Sequence, residues 1–166
     1  VRDVPDFPKP GILFRDLTPV LAQPRLCTEI VDFFARAFEH EKLDGLAAVE
    51  ARGFWFGTLL AQRLQIPFIP IRKKGKLPSQ TVEMAYDLEY GQASVEMHAD
   101  AVLAGQRILV HDDLIATGGS AAAAAKLIRQ QGAQVAGFAF LVELEALKGR
   151  EMLKPYSDTI VSLLTY

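Results

Sequence analysis

Cysteine is nearly absent. Cys27 is the only one in 166 residues, which excludes an internal disulfide and favours a reducing, intracellular setting. There are three histidines, and no Cys/His spacing suits zinc. An excess of charge of one sign is also missing: 18 basic and 20 acidic residues leave a formal charge of −2, so no broad basic field speaks for nucleic acid. The apolar runs are far too short to span a membrane, and the N-terminus has no signal-peptide core. No repeat or low-complexity tract is present apart from the alanines at 121–125, which read as helix. Apolar residues are plentiful: they make up half the chain, enough for one domain over residues 1–166 with a sizeable core. Together these features predict a soluble, cytoplasmic protein with neither a membrane nor a nucleic-acid partner.

The most informative stretch runs from Ile108 to Ser120. Its unbroken apolar start predicts a strand over Ile108–Val110 buried on both faces of a parallel sheet, with Asp112 and Asp113 at the carboxyl end. Ala116, Thr117, Gly118, Gly119 and Ser120 then form a small-residue turn into a helix over Ala121–Gln131. Such a turn lets backbone N–H groups converge on an anion at a helix N-terminus. Taken separately, a Gly-Gly pair is an ordinary turn and an Asp-Asp pair an ordinary loop start. Joined at this spacing they fit one ligand: the acids accept from sugar hydroxyls and the turn holds a phosphate, as in a phosphorylated ribose. His111, without Cys, His or acidic partners at metal spacing, reads as a plain strand residue.

The rest of the chain supplies a framework. Residues 5–16, with their prolines and a glycine, are expected to be extended and turning. A helix is expected over Pro24–His40, and a buried strand over Leu46–Val49 leads through Glu50-Ala51-Arg52-Gly53 into a helix reaching Leu64. The next strand, Phe68–Ile71, precedes Arg72-Lys73-Lys74-Gly75-Lys76, a cationic run suited to compensating a polyanion such as pyrophosphate. Alternation from Ser79 to Met97 predicts a hairpin standing off the body, a plausible mobile lid. Strands over Val135–Val142 and Ile160–Leu164 flank a short helix at Glu145–Leu153. By residue pattern alone Phe14 reads as core, and Arg52 as a surface arginine paired with Glu50.

Beyond the central motif, several segments in order resemble the adenine phosphoribosyltransferases, within the type I phosphoribosyltransferase family. They are Asp6-Phe7-Pro8, Pro10-Gly11, Phe14-Arg15-Asp16, Arg52-Gly53-Phe54, Arg72 through Pro78, Leu88-Glu89-Tyr90-Gly91, Leu141 through Leu144 and Leu147 through Arg150. The resemblance implies an α/β fold: a central, mostly parallel sheet flanked by helices, with a projecting hairpin lid at about 73–98 and a small N-terminal hood at about 1–20. It also implies a reaction, adenine plus phosphoribosyl pyrophosphate giving AMP and pyrophosphate, and a homodimer. It reverses the readings of Phe14 and Arg52. Ala116, Thr117, Gly118, Gly119 and Ser120 would bind the 5′-phosphate, and Asp112 and Asp113 the ribose. Ala51, Arg52, Arg72 and Lys76 would bind pyrophosphate. Adenine would lie between Phe14 and Leu144, its edge read by the backbone of Leu13 and Arg15. Glu89, with Tyr90 beside it on the lid, would act on the adenine proton, with Arg52 and Lys76 as the other catalytic groups. Mg²⁺ would arrive on the substrate, with no all-protein metal site, and the peptide between Glu50 and Ala51 would be cis.

Two other readings stay open. A relative acting on a 6-oxopurine would present a lysine and an acidic side chain to the base, where this chain has Leu144 and backbone. A non-catalytic phosphoribosyl pyrophosphate sensor regulating transcription would carry a DNA-binding segment, and neither a helix-turn-helix nor a basic face is evident.

Overall fold

A computed structural model describes residues 1–87 and 91–166. Among the described residues, seven strands form one sheet in the order β5-β6-β4-β3-β7-β8-β9. The strands are β3 (Gly45–Val49), β4 (Phe68–Lys73), β5 (Thr81–Asp87), β6 (Gln92–His98), β7 (Arg107–Ile115), β8 (Gln134–Glu143) and β9 (Ile160–Thr165). The run from β4 to β9 across β3, β7 and β8 is parallel, while β5 and β6 add an antiparallel edge. A separate antiparallel pair, β1 (Arg2–Pro5) with β2 (Leu13–Asp16), makes the hood.

Alternation along the buried strands feeds two cores, one on each face of the sheet. Leu46, Ala48 and Leu109 turn toward α2 (Pro24–Ala37) and α3 (Gly53–Leu64), where Phe34, Phe56 and Leu60 complete one apolar cluster. Ala47, Val49, Ile108 and Val110 turn the other way, toward α4 (Gly119–Gln130). The five alanines at 121–125 are all buried, and their small side chains let α4 lie close to the sheet. Pro24 opens α2, where its missing N–H costs nothing, and α2 stops at Ala37, short of the expected His40, with Phe38 at the cap.

Several boundaries differ from expectation. The strand through the acid pair extends to Ile115, because β8 continues to pair with it as far as Ile115 opposite Glu143. β4 likewise runs on through Arg72 and Lys73, which pair with Glu96 and Val95 of β6. The hairpin is therefore anchored at its base as a sheet edge, and Val82, Met84 and Tyr86 pack on the α4 core. The short helix near the C-terminus is broken at Lys148 (φ 53°) into a turn at Glu145–Leu147 and α5 (Gly149–Leu153). β1 and the single turn α1 (Thr18–Leu21) went unforeseen.

Candidate functional site

From β3 the chain crosses through α3 to β4 on one side, and after the hairpin it returns to lay β7 on the other side of β3. The carboxyl ends of β3 and β7 thus flank a topological switch point, where open α/β sheets hold their ligands. β3 pairs with β7 only as far as Ala48 opposite His111. Beyond that pair β7 keeps one neighbour and opens on its other side, and the next two residues are Asp112 and Asp113.

Asp112 Oδ1 accepts the backbone N–H of Asp113 at 2.8 Å. Burial and the adjacent Asp113 charge push the Asp112 carboxyl well above the usual range. Burial also raises Asp113, against the pull of the Arg52 guanidinium. Arg52 Nε lies 2.9 Å from Asp113 Oδ2, yet its N–H is not aimed at the oxygen, so among the described residues this buried atom has charge compensation without a hydrogen bond. A carboxylate oxygen in that state is ready to accept from a hydroxyl.

The turn that follows carries no side-chain cap, and Gly118, at φ 84°, stands at the N-cap of α4. Among the described residues no side chain caps this helix start, so the first-turn N–H groups and the positive end of the helix lie at the cleft that Gly118, Gly119 and Ser120 line. The turn is backed at very short range: a Cβ on Gly149 would meet the Ala116 carbonyl oxygen at 2.2 Å. Glu143, bound by Arg150 at 3.0 and 2.6 Å and by Ser162 at 2.6 Å, ties the strand end to the segment carrying Gly149.

One cleft of about 610 Å³ is lined by Glu50, Ala51, Arg52, Asp112, Asp113 and all of Ala116, Thr117, Gly118, Gly119 and Ser120. The Glu50–Ala51 peptide is cis, as expected. Arg72 and Lys76 do not line the cleft, and they connect to it through Glu50. Arg72 Nη2 donates to Glu50 Oε1 at 2.8 Å, and Nη1 to the Lys76 carbonyl at 2.8 Å. The Arg72 hydrogen bond holds the Glu50 carboxyl below its ordinary range. The Arg52–Glu50 pair that residue pattern alone suggested is replaced by two others, Arg52 with Asp113 and Arg72 with Glu50, because Arg72 lies on β4 beside the end of β3.

The hood approaches through Phe14, whose ring faces the Arg52 guanidinium at 5.3 Å and meets Phe7 edge-on at 5.1 Å. Phe14 is half-buried, so it is not the core residue its pattern suggested. Arg15 stacks on Tyr166 at 3.9 Å, Leu13 is exposed on β2, and Leu144 donates its N–H to Ile115 O at 2.9 Å. Glu89 and Tyr90 lie outside the described residues. Tyr86, Asp87, Phe140 and Leu147 also line the cleft and were not anticipated. Among the described residues no group of three or more His, Cys, Asp or Glu is arranged to hold a metal ion, and no helix is long and apolar enough to cross a membrane.

The acid pair, the glycine turn at an uncapped helix and the nearby cations at a switch point define a phosphoribosyltransferase-type site. The family described as phosphoribosyl transferase domain matches residues 17–163. More narrowly, an adenine phosphoribosyltransferase of Cytophaga hutchinsonii is 50% identical over 166 residues, covering 100% of this chain and 92% of that protein. The crystal structure of the adenine phosphoribosyltransferase of Thermoanaerobacter pseudethanolicus superposes with a TM-score of 0.96 at 49% identity, covering 100% and 95% of the two chains. That of Saccharomyces cerevisiae, complexed with an imino-altritol bisphosphate and adenine, gives 0.92 at 40% identity, covering 98% and 93%. The chain belongs to the adenine phosphoribosyltransferase family.

Proposed function

We propose that this protein transfers the phosphoribosyl group of phosphoribosyl pyrophosphate to adenine, forming AMP and pyrophosphate in purine salvage. The observation that carries the reading is the meeting, in one cleft, of a partly unsatisfied acid pair and a glycine turn that opens an uncapped helix. The first needs hydroxyl donors and the second an anion, and a ribose phosphate supplies both.

In this reading the backbone of Ala116, Thr117, Gly118 and Gly119, with the hydroxyls of Thr117 and Ser120, binds the 5′-phosphate. Asp112 and Asp113 accept from the 2′ and 3′ hydroxyls. The Ala51 amide, Arg52 and Lys76 receive pyrophosphate, and Arg72 adds positive charge from behind Glu50. Adenine lies between Phe14 and Leu144, its edge read by the backbone of Leu13 and Arg15. The C1′–O bond breaks with its electrons leaving on pyrophosphate, N9 of adenine forms the new bond to C1′, and the N9 proton passes to Glu89, with Tyr90 adjacent. Arg52 and Lys76 meet charge as it grows on the leaving group. Mg²⁺ carried in with phosphoribosyl pyrophosphate would supply charge neutralisation on the leaving group, and no protein side chain is assigned to hold it. The protein works as a homodimer in the cytoplasm, a setting that suits a chain with one cysteine.

The test is turnover of adenine, hypoxanthine and guanine with phosphoribosyl pyrophosphate and Mg²⁺. AMP formed from adenine, with no product from the other two bases, is the expected result. Product from the 6-oxopurines instead, or tight binding of the sugar pyrophosphate with no turnover of any base, refutes it. Light scattering in the same buffer is expected to give the mass of two chains.

A further inference from the structure

Glu96 lies on β6, away from the cleft lining, and is 4% exposed. A buried carboxylate needs a reason, since isolating such a charge from water is costly unless donors surround it. Here the donors are backbone groups of one loop. Glu96 Oε1 accepts the N–H of Lys76 at 2.8 Å and that of Leu77 at 2.7 Å. The hydrogen bond from Leu77 leads a set that includes Gly75, Lys76 and the Thr81 side chain, and together they hold the carboxyl below its ordinary range, so the group is ionised at neutral pH. The same turn is gripped from its other side, where Arg72, paired across the sheet with Glu96, donates to the Lys76 carbonyl at 2.8 Å. Arg72 is in turn held by Glu50 at the cleft wall. A chain of contacts therefore runs from the cleft through Glu50 and Arg72 to the Lys76 backbone and ends on Glu96, while Lys76 itself stays exposed.

We propose that Glu96 is a positioning residue for pyrophosphate recognition: its buried carboxylate fixes the 75–77 turn so that Lys76 is presented toward the leaving group. The inference rests on the assignment of Lys76 to pyrophosphate made above. Its energetic logic is preorganisation. Without the carboxylate, the glycine-containing turn samples many conformations, and the ordering entropy must be met each time pyrophosphate binds. Glu96 spends its charge on N–H groups, so it presents little of that charge to the anionic ligand.

The experiment compares calorimetric binding of Mg²⁺–phosphoribosyl pyrophosphate and of AMP to the wild type, Glu96→Ala, Glu96→Gln and Lys76→Ala. AMP shares the ribose and the 5′-phosphate but lacks pyrophosphate. Glu96→Ala is expected to weaken phosphoribosyl pyrophosphate about tenfold while AMP changes by less than about twofold. Glu96→Gln keeps an acceptor for Lys76 and Leu77, and is expected to restore binding to within about threefold of wild type. Equal losses for both ligands would mean general damage to the fold and overturn the proposal, as would unchanged phosphoribosyl pyrophosphate affinity in Glu96→Ala. Should the alanine variant not fold, Glu96→Met, which fills the same space without an acceptor for the Lys76 and Leu77 N–H groups, takes its place under the same criterion. Lys76→Ala separates the two levels: if it leaves phosphoribosyl pyrophosphate binding intact, the assignment of the turn fails. If it weakens binding and Glu96→Ala does not, only the positioning role fails.

Discussion

Replacing His111 with valine is expected to make the protein resistant to acid by an amount that follows from where the ring sits. His111 is fully buried in the middle of β7, between Ala48 of β3 and Ala139 of β8, with Phe34 of α2 edge-on at 6.0 Å and Gly57 of α3 against its Cδ2. Among the described residues neither ring nitrogen has a hydrogen-bond partner. The Ala139 backbone favours protonation weakly, without reaching bonding geometry, and burial outweighs it, pushing the imidazole from 6.5 down to about 4. The unfolded chain therefore takes up a proton near pH 6.5 that the folded chain refuses until about pH 4. Stability rises with pH wherever the unfolded state binds more protons, so the His111 penalty is absent above neutrality and grows as pH falls through this window. At 1.36 kcal/mol per pH unit, the full penalty is roughly 3 kcal/mol, of which about 2.5 kcal/mol is present by about pH 4.5.

Asp112 and Asp113 act in the opposite sense. Their folded carboxyls are raised, so protonation favours the folded state as pH falls, and the pH profile of the wild type alone mixes the two effects. The difference between wild type and His111→Val isolates the histidine. Valine suits a buried strand and strands no polar atom; the volume it gives up costs a few tenths of a kcal/mol, while removing two orphaned nitrogens recovers about 1–3 kcal/mol. Urea denaturation at fixed protein concentration, from near neutrality down to about pH 4.5, is expected to show a variant at least as stable as wild type, with an advantage that widens by about 2.5 kcal/mol. A stability difference that stays constant over that range would refute the reasoning, because it would mean that the ring accepts its proton in the folded state.

Gly149→Ala places a methyl group 2.2 Å from the Ala116 carbonyl, a backbone atom that cannot rotate aside. The variant is expected to lose about 1–3 kcal/mol of stability by thermal melting and to bind AMP more weakly; unchanged AMP affinity would show that the turn does not hold the phosphate. Asp113→Asn removes the charge that Arg52 compensates but keeps the shape. It is expected to weaken AMP about 10- to 100-fold with the melting temperature little changed, and unaltered binding would contradict the ribose role.

Elements whose information is local were legible in the chain itself. The helical spacing of Ile30, Phe34 and Phe38, the alternation of Val82, Met84 and Tyr86, and the acid pair followed by a glycine turn each lie within a few residues, so their geometry follows from backbone period and side-chain size. The central motif accordingly carries, within one short segment, acceptors suited to hydroxyls and a turn suited to an anion. Element ends were less legible because they depend on partners. β7 continues through Asp113 only because β8 remains beside it, and β4 continues through Arg72 because β6 pairs there.

The pairings between distant segments were decided by the tertiary structure alone. Arg52 chooses Asp113, 61 positions away, over its near neighbour Glu50, because the start of α3 sits beside the open end of β7. Glu50 is left to Arg72 across the sheet, and Glu96 closes the cationic turn from a strand that nothing in its own neighbourhood marks as special. Charge and hydrogen-bonding capacity are written in each residue type. The choice of partner is made by distance, which the sheet order sets when it places β3 and β7 side by side and opens a gap at their ends.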